Sequence, residues 1–286
     1  MSSTPTAHVT PLPRSAPLGP GSLTWKYLGD RRLILFTART GTLQNMHPAV
    51  GAALDQHSNF FDNPWDRIFR SLPAILGAVY DPDAAATAAK VRDYHKDLKG
   101  SDSQGRRYHA LNPDVYWWTH VTFIEAIIAM NDYFGTPFTA EQKDQVVREG
   151  VTWWLSYGLS TRPVLDTYAD FHAYWNRMLD EELEANQTTT YALELGSTKI
   201  PPPPGVPASI WAAIGTPVMK ANVWLLNAMM PERARETLGL QWSARDERRF
   251  RTFATALRLS WPLLPDRLRY YRRAYDGIKH AESQRH

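Results

Sequence analysis

The chain has 286 residues, of which 43% are hydrophobic and 21% charged, so it is long enough to bury a sizeable core. It contains no cysteine, which excludes disulfides, thiolate nucleophiles, iron–sulfur clusters, thiolate-ligated heme and cysteine zinc sites. The net charge of +3 is uneven, because residues 231–280 hold 12 Lys or Arg against 6 Asp or Glu. A solvated helix surface is the first interpretation of this basic region, and contact with anionic lipid, nucleic acid or a partner stays open.

The N-terminal residues have the composition of a tail. Residues 1–22 are rich in Pro, Ser, Thr and Gly and contain no apolar run of the signal-peptide type, so we expect them to be disordered. Residues 23–280 are then expected to form one helical domain. No stretch approaches 18 uncharged apolar residues, which argues against a membrane span. We therefore expect a soluble, cytoplasmic protein.

Helix signals dominate the first part of this domain. The apolar segment at residues 28–42 predicts one helix, and a second is predicted at residues 48–57 because a proline favours the first helical position. A third is predicted at residues 64–80, where Asn63 is a suitable N-cap and Pro73 is expected to introduce a kink. Strand patterns with a period of two are scarce.

The next predicted helix, over residues 84–100, carries a candidate metal ligand. Asp81 is its expected N-cap, Pro82 suits its first position and Gly100 suits its end. One narrow apolar face of this helix contains Ala84, Ala88, Val91, His95 and Leu98. Small residues let a flat group lie close to the helix backbone, so the imidazole of His95 is placed to ligate a metal at its centre. A core histidine with hydrogen-bonded nitrogens is the alternative interpretation.

Helical patterns continue to the C-terminus. An aromatic helix is predicted from Asp114 to the residues before Gly135, with Glu125 as a carboxylate in an otherwise apolar segment. A capping box formed by Thr139 and Gln142 opens the helix that follows. Helices are predicted at residues 140–157, 164–183, 207–230, 231–238, 243–261 and 265–280. The sequence therefore predicts an all-α single domain of roughly ten helices.

A series of short motifs runs through these predicted helices in a specific order. It consists of Gly29-Asp30-Arg31-Arg32, Gln44-x-x-His47-Pro48-x-Val50, His57-Ser58, Asn63-Pro64, Arg67-x-x-Arg70-Ser71, Val91-Arg92-x-x-His95, Gly100, Gly105-x-x-Tyr108, Asn112-Pro113, Trp118-x-His120 and Phe171-x-x-Tyr174. Each motif is weak alone, but their order and spacing over about residues 27–275 are specific. The series resembles the heme b catalytic domain of bacterial rubber oxygenases (latex clearing proteins) and fungal mpaB-type oxygenases.

This resemblance implies a globin-like helical core that holds one heme b through a proximal histidine. His95 matches that iron ligand, and Arg92 matches the arginine that precedes it in the motif. On the distal side, Arg67 is kept and Ser71 keeps a hydroxyl, whereas Arg70 stands where the rubber enzymes carry a lysine. Arginine stays protonated and is not expected to ligate iron. The resemblance therefore implies a sixth iron position that is open or held by water, and it favours a small substrate over a polymer.

Several polar residues keep open roles under this resemblance. The rubber enzymes use a glutamate as base, and Asp55 and His57 are the polar substitutes that this sequence offers in that region. His47 and His120 lie in apolar surroundings, where structural hydrogen bonding is favoured over a role at the heme. Of these two histidines, His120 is the candidate cofactor contact.

The expected function is that of a heme b-dependent oxygenase, an oxidoreductase that uses O2 on an apolar or small-metabolite substrate. The resemblance implies that His95 holds the iron, while Arg67 and Arg70 polarise bound oxygen or contact a heme propionate and Ser71 acts as a secondary donor. Three aromatic residues either line an apolar substrate channel or pack the core, namely Trp117, Trp118 and Phe123.

Other function classes remain open from the sequence. Hydroxylation, dehydrogenation or peroxide use on a small metabolite is an enzymatic alternative without bond cleavage. A heme-binding sensor or carrier without turnover is a second class, and a helical interaction protein without heme is a third. The favoured interpretation includes no nucleic-acid partner, and it leaves open an electron donor and a weak membrane-surface contact through the basic C-terminal region.

Overall fold

The computed structural model describes residues 18–61 and 63–284, without the side chain of Arg67. Within these ranges the chain forms an all-α single domain with fourteen α-helices and one two-stranded sheet, which confirms the predicted fold class. The helix count exceeds the expected ten because several predicted helices are interrupted. Residues 1–17 of the predicted tail lie outside the described residues.

The elements follow one another along the chain with short connections. The helices are α1 (Leu23–Tyr27), α2 (Thr37–Met46), α3 (Pro48–His57), α4 (Pro64–Tyr80), α5 (Ala84–Asp93), α6 (Pro113–Phe134), α7 (Ala140–Ser156), α8 (Tyr168–Arg177), α9 (Gln187–Glu194), α10 (Ala208–Met229), α11 (Glu232–Thr237), α12 (Ala244–Ser260), α13 (Asp266–Arg269) and α14 (Arg272–Ser283). Short 3₁₀ helices cover Arg31–Phe36 and Trp261–Leu263, and a π-helical turn covers Met178–Glu182. The antiparallel strands are β1 (Lys99–Ser101) and β2 (Arg107–His109).

Local capping chemistry sets the predicted helix starts. The side chain of Asn63 accepts from the backbone N–H of Asp66 at 3.2 Å, so α4 begins where the sequence predicts. The capping box of Thr139 and Gln142 is present at the start of α7, with bonds of 3.3 and 3.0 Å. These starts could be predicted because each involves residues at most three positions apart.

The single helix predicted over residues 28–42 is wrong. The chain turns at Gly29 and Asp30, and a 3₁₀ helix (Arg31–Phe36) precedes α2. A Cβ atom on Gly29 would overlap the side chain of Ala274, so close packing against the C-terminal helix α14 requires glycine here. The break is therefore caused by a contact with a residue about 240 positions away.

The start of the helix predicted over residues 84–100 lies later than expected. Asp83 caps α5 instead of Asp81, with its carboxylate accepting from the backbone of the first turn at 2.9 Å. Asp81 instead accepts from the guanidinium of Arg273 at 2.6 and 2.5 Å and from the hydroxyl of Thr87 at 2.6 Å. The arginine on α14 lowers the pKa of the Asp81 carboxyl against the opposing effect of burial.

The end of that helix also differs from the prediction. Helix α5 ends at Asp93, and a turn over residues 94–97 leads into strand β1, which contains Gly100. Gly100 pairs with Tyr108 across the hairpin, so it is a strand residue and not the end of a helix. His95 therefore lies in the turn that follows α5.

Two later predicted helices are shortened as well. The helix expected over residues 164–183 begins only at Tyr168 and finishes in the π-helical turn. The helix expected over residues 265–280 is broken into α13 and α14, because the backbone N–H of Tyr271 donates to the carbonyl of Gly29 at 3.0 Å. Helices α7, α10, α11 and α12 lie within the predicted ranges.

Helix α6 forms the centre of the core. Fifteen of its 22 residues are buried, as its apolar sequence predicts for a helix surrounded by others. Its neighbours include α2, α7 and α12. The largest fully buried side chains include Trp117 and Trp118 of α6 and Trp153 and Trp154 of α7. Across the described ranges, no helix has the length and apolar character that a membrane crossing requires.

A buried ion pair connects three of these helices. Arg39 of α2 binds both carboxylate oxygens of Glu125 in α6, and the second of these contacts measures 2.8 Å. The guanidinium also donates through Nε to the carbonyl of Met229, at the end of α10, at 2.7 Å. The side chains of Arg39 and Glu125 are only 3% and 17% exposed. This bidentate pair satisfies the carboxylate that stands out in the apolar helix.

Removal of this arginine is expected to destabilise the fold strongly. In Arg39→Met the Glu125 carboxylate loses its partner while still largely buried, which should lower the free energy of unfolding by about 3–5 kcal/mol. Arg251→Met is the matched control, because that arginine is 77% exposed in an i,i+4 pair with Glu247, and it should cost less than about 1 kcal/mol. Urea denaturation followed by circular dichroism measures both. Equal effects of the two substitutions would contradict the structural role of the buried pair.

Candidate functional site

His95 is held in a defined orientation at the end of α5. Its Nδ1 lies 2.8 Å from the carbonyl oxygen of Val91, an acceptor, so Nδ1 carries a proton and donates it. In the neutral imidazole this bond places the lone pair on Nε2. Metal-bound histidines have the same arrangement, in which the second nitrogen donates to a carbonyl or carboxylate. The half-buried side chain therefore has the chemistry of an oriented nitrogen ligand.

A tyrosine on the central helix packs against this imidazole. The rings of Tyr116 and His95 meet edge to face, with centroids 5.4 Å apart. Tyr116 in turn contacts Trp154 and Tyr157 at the end of α7, at 5.8 and 5.3 Å. Burial raises the pKa of the Tyr116 phenol, so the ring stays neutral at physiological pH. The His95 ring thus rests against the edge of a fixed aromatic cluster.

Arg92 fixes the position of the α5 end. Its Nη1 donates to the backbone carbonyl of Tyr157 at 3.0 Å, and its Nε donates to Asp93 at 2.8 Å. The acceptor lies just after α7, beside Gly158, which has a φ of +67°. These bonds hold the turn that carries His95 against the end of α7. A contact between Arg92 and a cofactor stays a prediction.

His120 lies inside the aromatic cluster. Its Nε2 is 2.8 Å from the carbonyl oxygen of Gly150, to which it donates, while its Nδ1 has no hydrogen-bond partner among the described residues. The imidazole is 1% exposed and is surrounded by the rings of Trp117, Trp153, Trp154 and Tyr157. These contacts support a structural role. The aromatic contacts connect it to His95 through Tyr157 and Tyr116, and its predicted contact with the cofactor stays a prediction.

The other polar candidates have local structural roles. His47 is the N-cap of α3, and its Nδ1 accepts from the backbone N–H of Ala49 at 3.2 Å. Burial and the nearby charge of Arg106 lower the pKa of His47 to about 4. Asp55 and His57, offered as substitutes for a catalytic base, are exposed at the end of α3.

The aromatic residues considered for a substrate channel divide into two groups. Trp117 and Trp118 are completely buried, and the indole N–H of Trp118 donates to the carbonyl of Leu43 at 3.1 Å. Both therefore pack the core. Phe123 is half-buried beside Trp153, with ring centroids 5.9 Å apart.

The predicted distal residues lie on the first half of α4. Arg70 is exposed and pairs with Asp66 one turn earlier at 2.9 Å, and Ser71 is exposed beside it. Arg67 belongs to the same helix, although its side chain is outside the described part of the structure. Residues 76–80 of α4 are buried where this helix packs on α5 and α14. The structure therefore brings the helix of these three residues next to the helix that precedes His95.

Exposed aromatic groups accompany both sets of candidate residues. Phe69, next to Arg70, is 52% exposed, and Tyr94, next to His95, is 70% exposed. Large exposed apolar side chains on neighbouring elements are a feature of ligand-binding surfaces. By contrast, a cleft of about 320 Å³ lined by Glu125, Asp132 and other residues lies on the opposite side of α6. Glu125 is nine residues from Tyr116, which corresponds to half a turn around a helix.

Sequence reasoning missed the aromatic residues that position the histidines. Tyr116 and His120 are four residues apart and therefore share one face of α6, a signal that was readable from the spacing alone. Tyr157 and Trp154 could not be assigned to the same cluster, because their position depends on how α7 packs on α6. Gly150 permits this close packing, since a Cβ atom there would overlap the side chain of Ile124.

Comparison with known families covers most of the chain. Residues 25–259 match the family model described as ER-bound oxygenase mpaB/B'/Rubber oxygenase, catalytic domain. Comparison with curated proteins and with solved structures gives no match. The matched range contains α4, the turn with His95 and the complete aromatic cluster. It agrees with the resemblance over about residues 27–275 that the ordered motifs indicate.

The buried His120 is expected to make stability depend on pH. Burial lowers its pKa from 6.5 to about 4, so the unfolded chain binds a proton before the folded chain does. Stability therefore falls as the pH decreases from about 6.5 towards 4, and this group should contribute about 2 kcal/mol of loss between pH 7 and pH 5. His120→Gln, which keeps a donor for Gly150, should remove that contribution in urea titrations at the two pH values.

His280→Gln serves as the control for this experiment, because His280 is exposed on α14. It should keep the pH dependence of the wild type. An unchanged pH dependence in His120→Gln would show that His120 does not stay neutral in the folded protein.

Proposed function

The chain belongs to the family of mpaB/B' and rubber oxygenase catalytic domains, and on this premise we propose that it is a heme b-dependent oxygenase. We infer that it uses O2 to oxidise an apolar or small-metabolite substrate. The observation that carries the proposal is the hydrogen bond from Nδ1 of His95 to Val91, which orients the imidazole as a ligand. His95 occupies the position that the family motif gives to the proximal histidine.

The set of donor atoms fits a heme. Within the described residues, no group of three or more His, Asp or Glu side chains is placed to hold a metal ion. The chain has no cysteine, so a thiolate ligand is excluded by composition. A single oriented imidazole is the donor that a metal already held by a macrocycle requires. Heme, when bound, supplies the iron chemistry that activates dioxygen.

The residues around His95 support this proposed role through position and polarity. Val91 fixes the tautomer, Tyr116 supports one face or edge of the ring, and Arg92 ties the turn to the end of α7. Together these contacts keep the imidazole in one orientation without burying it completely. Pre-organisation of this kind lowers the cost of binding a cofactor, since little side-chain freedom is lost.

We propose that Arg67, Arg70 and Ser71 provide the polar groups of the distal side. Arg70 binds Asp66 in an exposed i,i+4 pair, and such pairs contribute only about 0.5 kcal/mol. The guanidinium can therefore turn towards dioxygen or a propionate at little cost. Arginine donates from a planar fork and stays protonated, so it acts as a hydrogen-bond donor and does not ligate iron.

Replacement of His95 tests the ligand directly. The wild-type protein, expressed with a heme precursor, is expected to show a Soret band, whereas His95→Ala should lower heme affinity by at least about tenfold. Added imidazole should restore the band of the variant by filling the space of the lost side chain. Visible absorption during heme titration measures both effects.

His172→Ala is the matched control, because His172 is an exposed histidine of α8, and it should bind heme as the wild type does. An unchanged Soret band in His95→Ala would keep the heme and discard His95 as its ligand. Absence of a band from folded wild-type protein supplied with heme would overturn the proposed function.

The distal arginines are tested by the ratio of dioxygen affinity to carbon monoxide affinity in the reduced, heme-loaded protein. Dioxygen accepts hydrogen bonds more strongly than carbon monoxide, so Arg67→Met and Arg70→Met should each lower this ratio by about tenfold or more. Stopped-flow or laser photolysis measures both affinities without knowledge of the substrate. Arg251→Met, an exposed arginine in another i,i+4 pair, is the control and should leave the ratio unchanged. Equal ratios in all variants would remove both arginines from the distal site.

A further inference from the structure

Four leucines project from the connection between α12 and α13. Leu259, Leu263, Leu264 and Leu268 are 70%, 83%, 37% and 49% exposed, and we call them the leucine knuckle. They lie within ten consecutive residues, in a segment that also contains two prolines. Exposed apolar side chains that occur singly are common, whereas a local cluster of this kind indicates an interaction surface.

The knuckle is firmly attached to the body of the protein. Trp261, in its middle, donates from its indole N–H to Asp30 at 3.2 Å, and the guanidinium of Arg32 lies 5.5 Å from the centre of its ring. Asp30 and Arg32 form a buried ion pair at 2.6 Å. The backbone N–H of Leu264 donates to the carbonyl of Trp261 at 3.2 Å. The exposure of the leucines is therefore a consequence of folded contacts that hold the segment outward.

The surroundings of the knuckle are strongly basic. Residues 243–273 contain nine arginines against three acidic residues, a surplus of six positive charges. Arg258 and Arg267, next to the leucines, are both exposed. The guanidinium of Arg258 also donates to the carbonyls of Asp132 and Tyr133, at 3.1 and 2.9 Å, which leaves its positive charge in place. Exposed leucines flanked by arginines combine apolar area with attraction to anions.

We propose that the leucine knuckle docks on the surface of an anionic phospholipid membrane. The leucines enter the boundary between headgroups and acyl chains, and the arginines beside them contact lipid phosphates. Charge complementarity favours this occupant over a second copy of the chain. Two copies that met through the same knuckle would bring two arginine-rich surfaces together, and like charges repel. The segment lies on the membrane and does not cross it.

Vesicle binding by the full-length protein tests this assignment. Cosedimentation with vesicles of phosphatidylcholine and phosphatidylserine is expected, with much weaker binding to phosphatidylcholine alone and a marked decrease at high salt. Leu263→Ser should weaken binding to the mixed vesicles by about tenfold, because burial of one leucine side chain corresponds to at least that factor. Arg267→Glu should weaken binding to the mixed vesicles and leave binding to phosphatidylcholine unchanged.

The control variant is Ile210→Ser, which removes a side chain that is 51% exposed on α10, away from the knuckle in sequence. It should bind vesicles as the wild type does, and circular dichroism should show the same helix content for all variants. The proposal is overturned if the wild type binds neither kind of vesicle, or if Ile210→Ser and Leu263→Ser lose binding equally. It is also overturned if sedimentation shows a dimer that Leu263→Ser dissociates, since the knuckle would then bind a second copy.

Discussion

The burial of α6 on all sides is the constraint on which the rest of the structure depends. A helix in this position must find a partner for each polar side chain within the protein, because water does not reach it. Glu125 therefore requires Arg39, His120 requires the carbonyl of Gly150, and Thr122 accepts from Gln44 at 2.7 Å. Each of these bonds joins α6 to another helix. The satisfaction of a few polar groups thus determines how α2, α7 and α10 are arranged around the apolar centre.

The candidate iron ligand depends on the same arrangement. Tyr116 projects from α6 to the ring of His95, and Arg92 reaches the backbone at the end of α7. Since α6 and α7 are fixed against each other by the aromatic cluster, the turn after α5 is held from two directions. His95 lies at the margin of the core, where its ring is oriented and still half exposed. A proximal ligand needs both properties, because the cofactor has to reach it and it has to be held in one orientation when the cofactor binds.

A second set of contacts joins the two ends of the described chain. Asp30 forms a buried pair with Arg32 and accepts from the indole of Trp261, while its backbone pairs with that of Tyr270. This one carboxylate therefore links the 3₁₀ segment before α2 to the connection between α12 and α14. The same contacts hold the leucine knuckle outward. A charged group that stabilises the fold from within thus also determines which apolar side chains the surface presents.

The sequence by itself determined the helical class, most helix starts and the family. Caps and capping boxes involve residues within about four positions, so Asn63 and Thr139 could be interpreted without any knowledge of the fold. The order of the motifs likewise needs no coordinates. Tertiary structure decided where helices break, how far α5 extends and which way Arg70 points. The turn at Gly29 depends on α14, and the end of α5 depends on the hairpin that follows it. Contacts between residues far apart in the chain set these features, and a local pattern contains no information about which distant residue will be the partner.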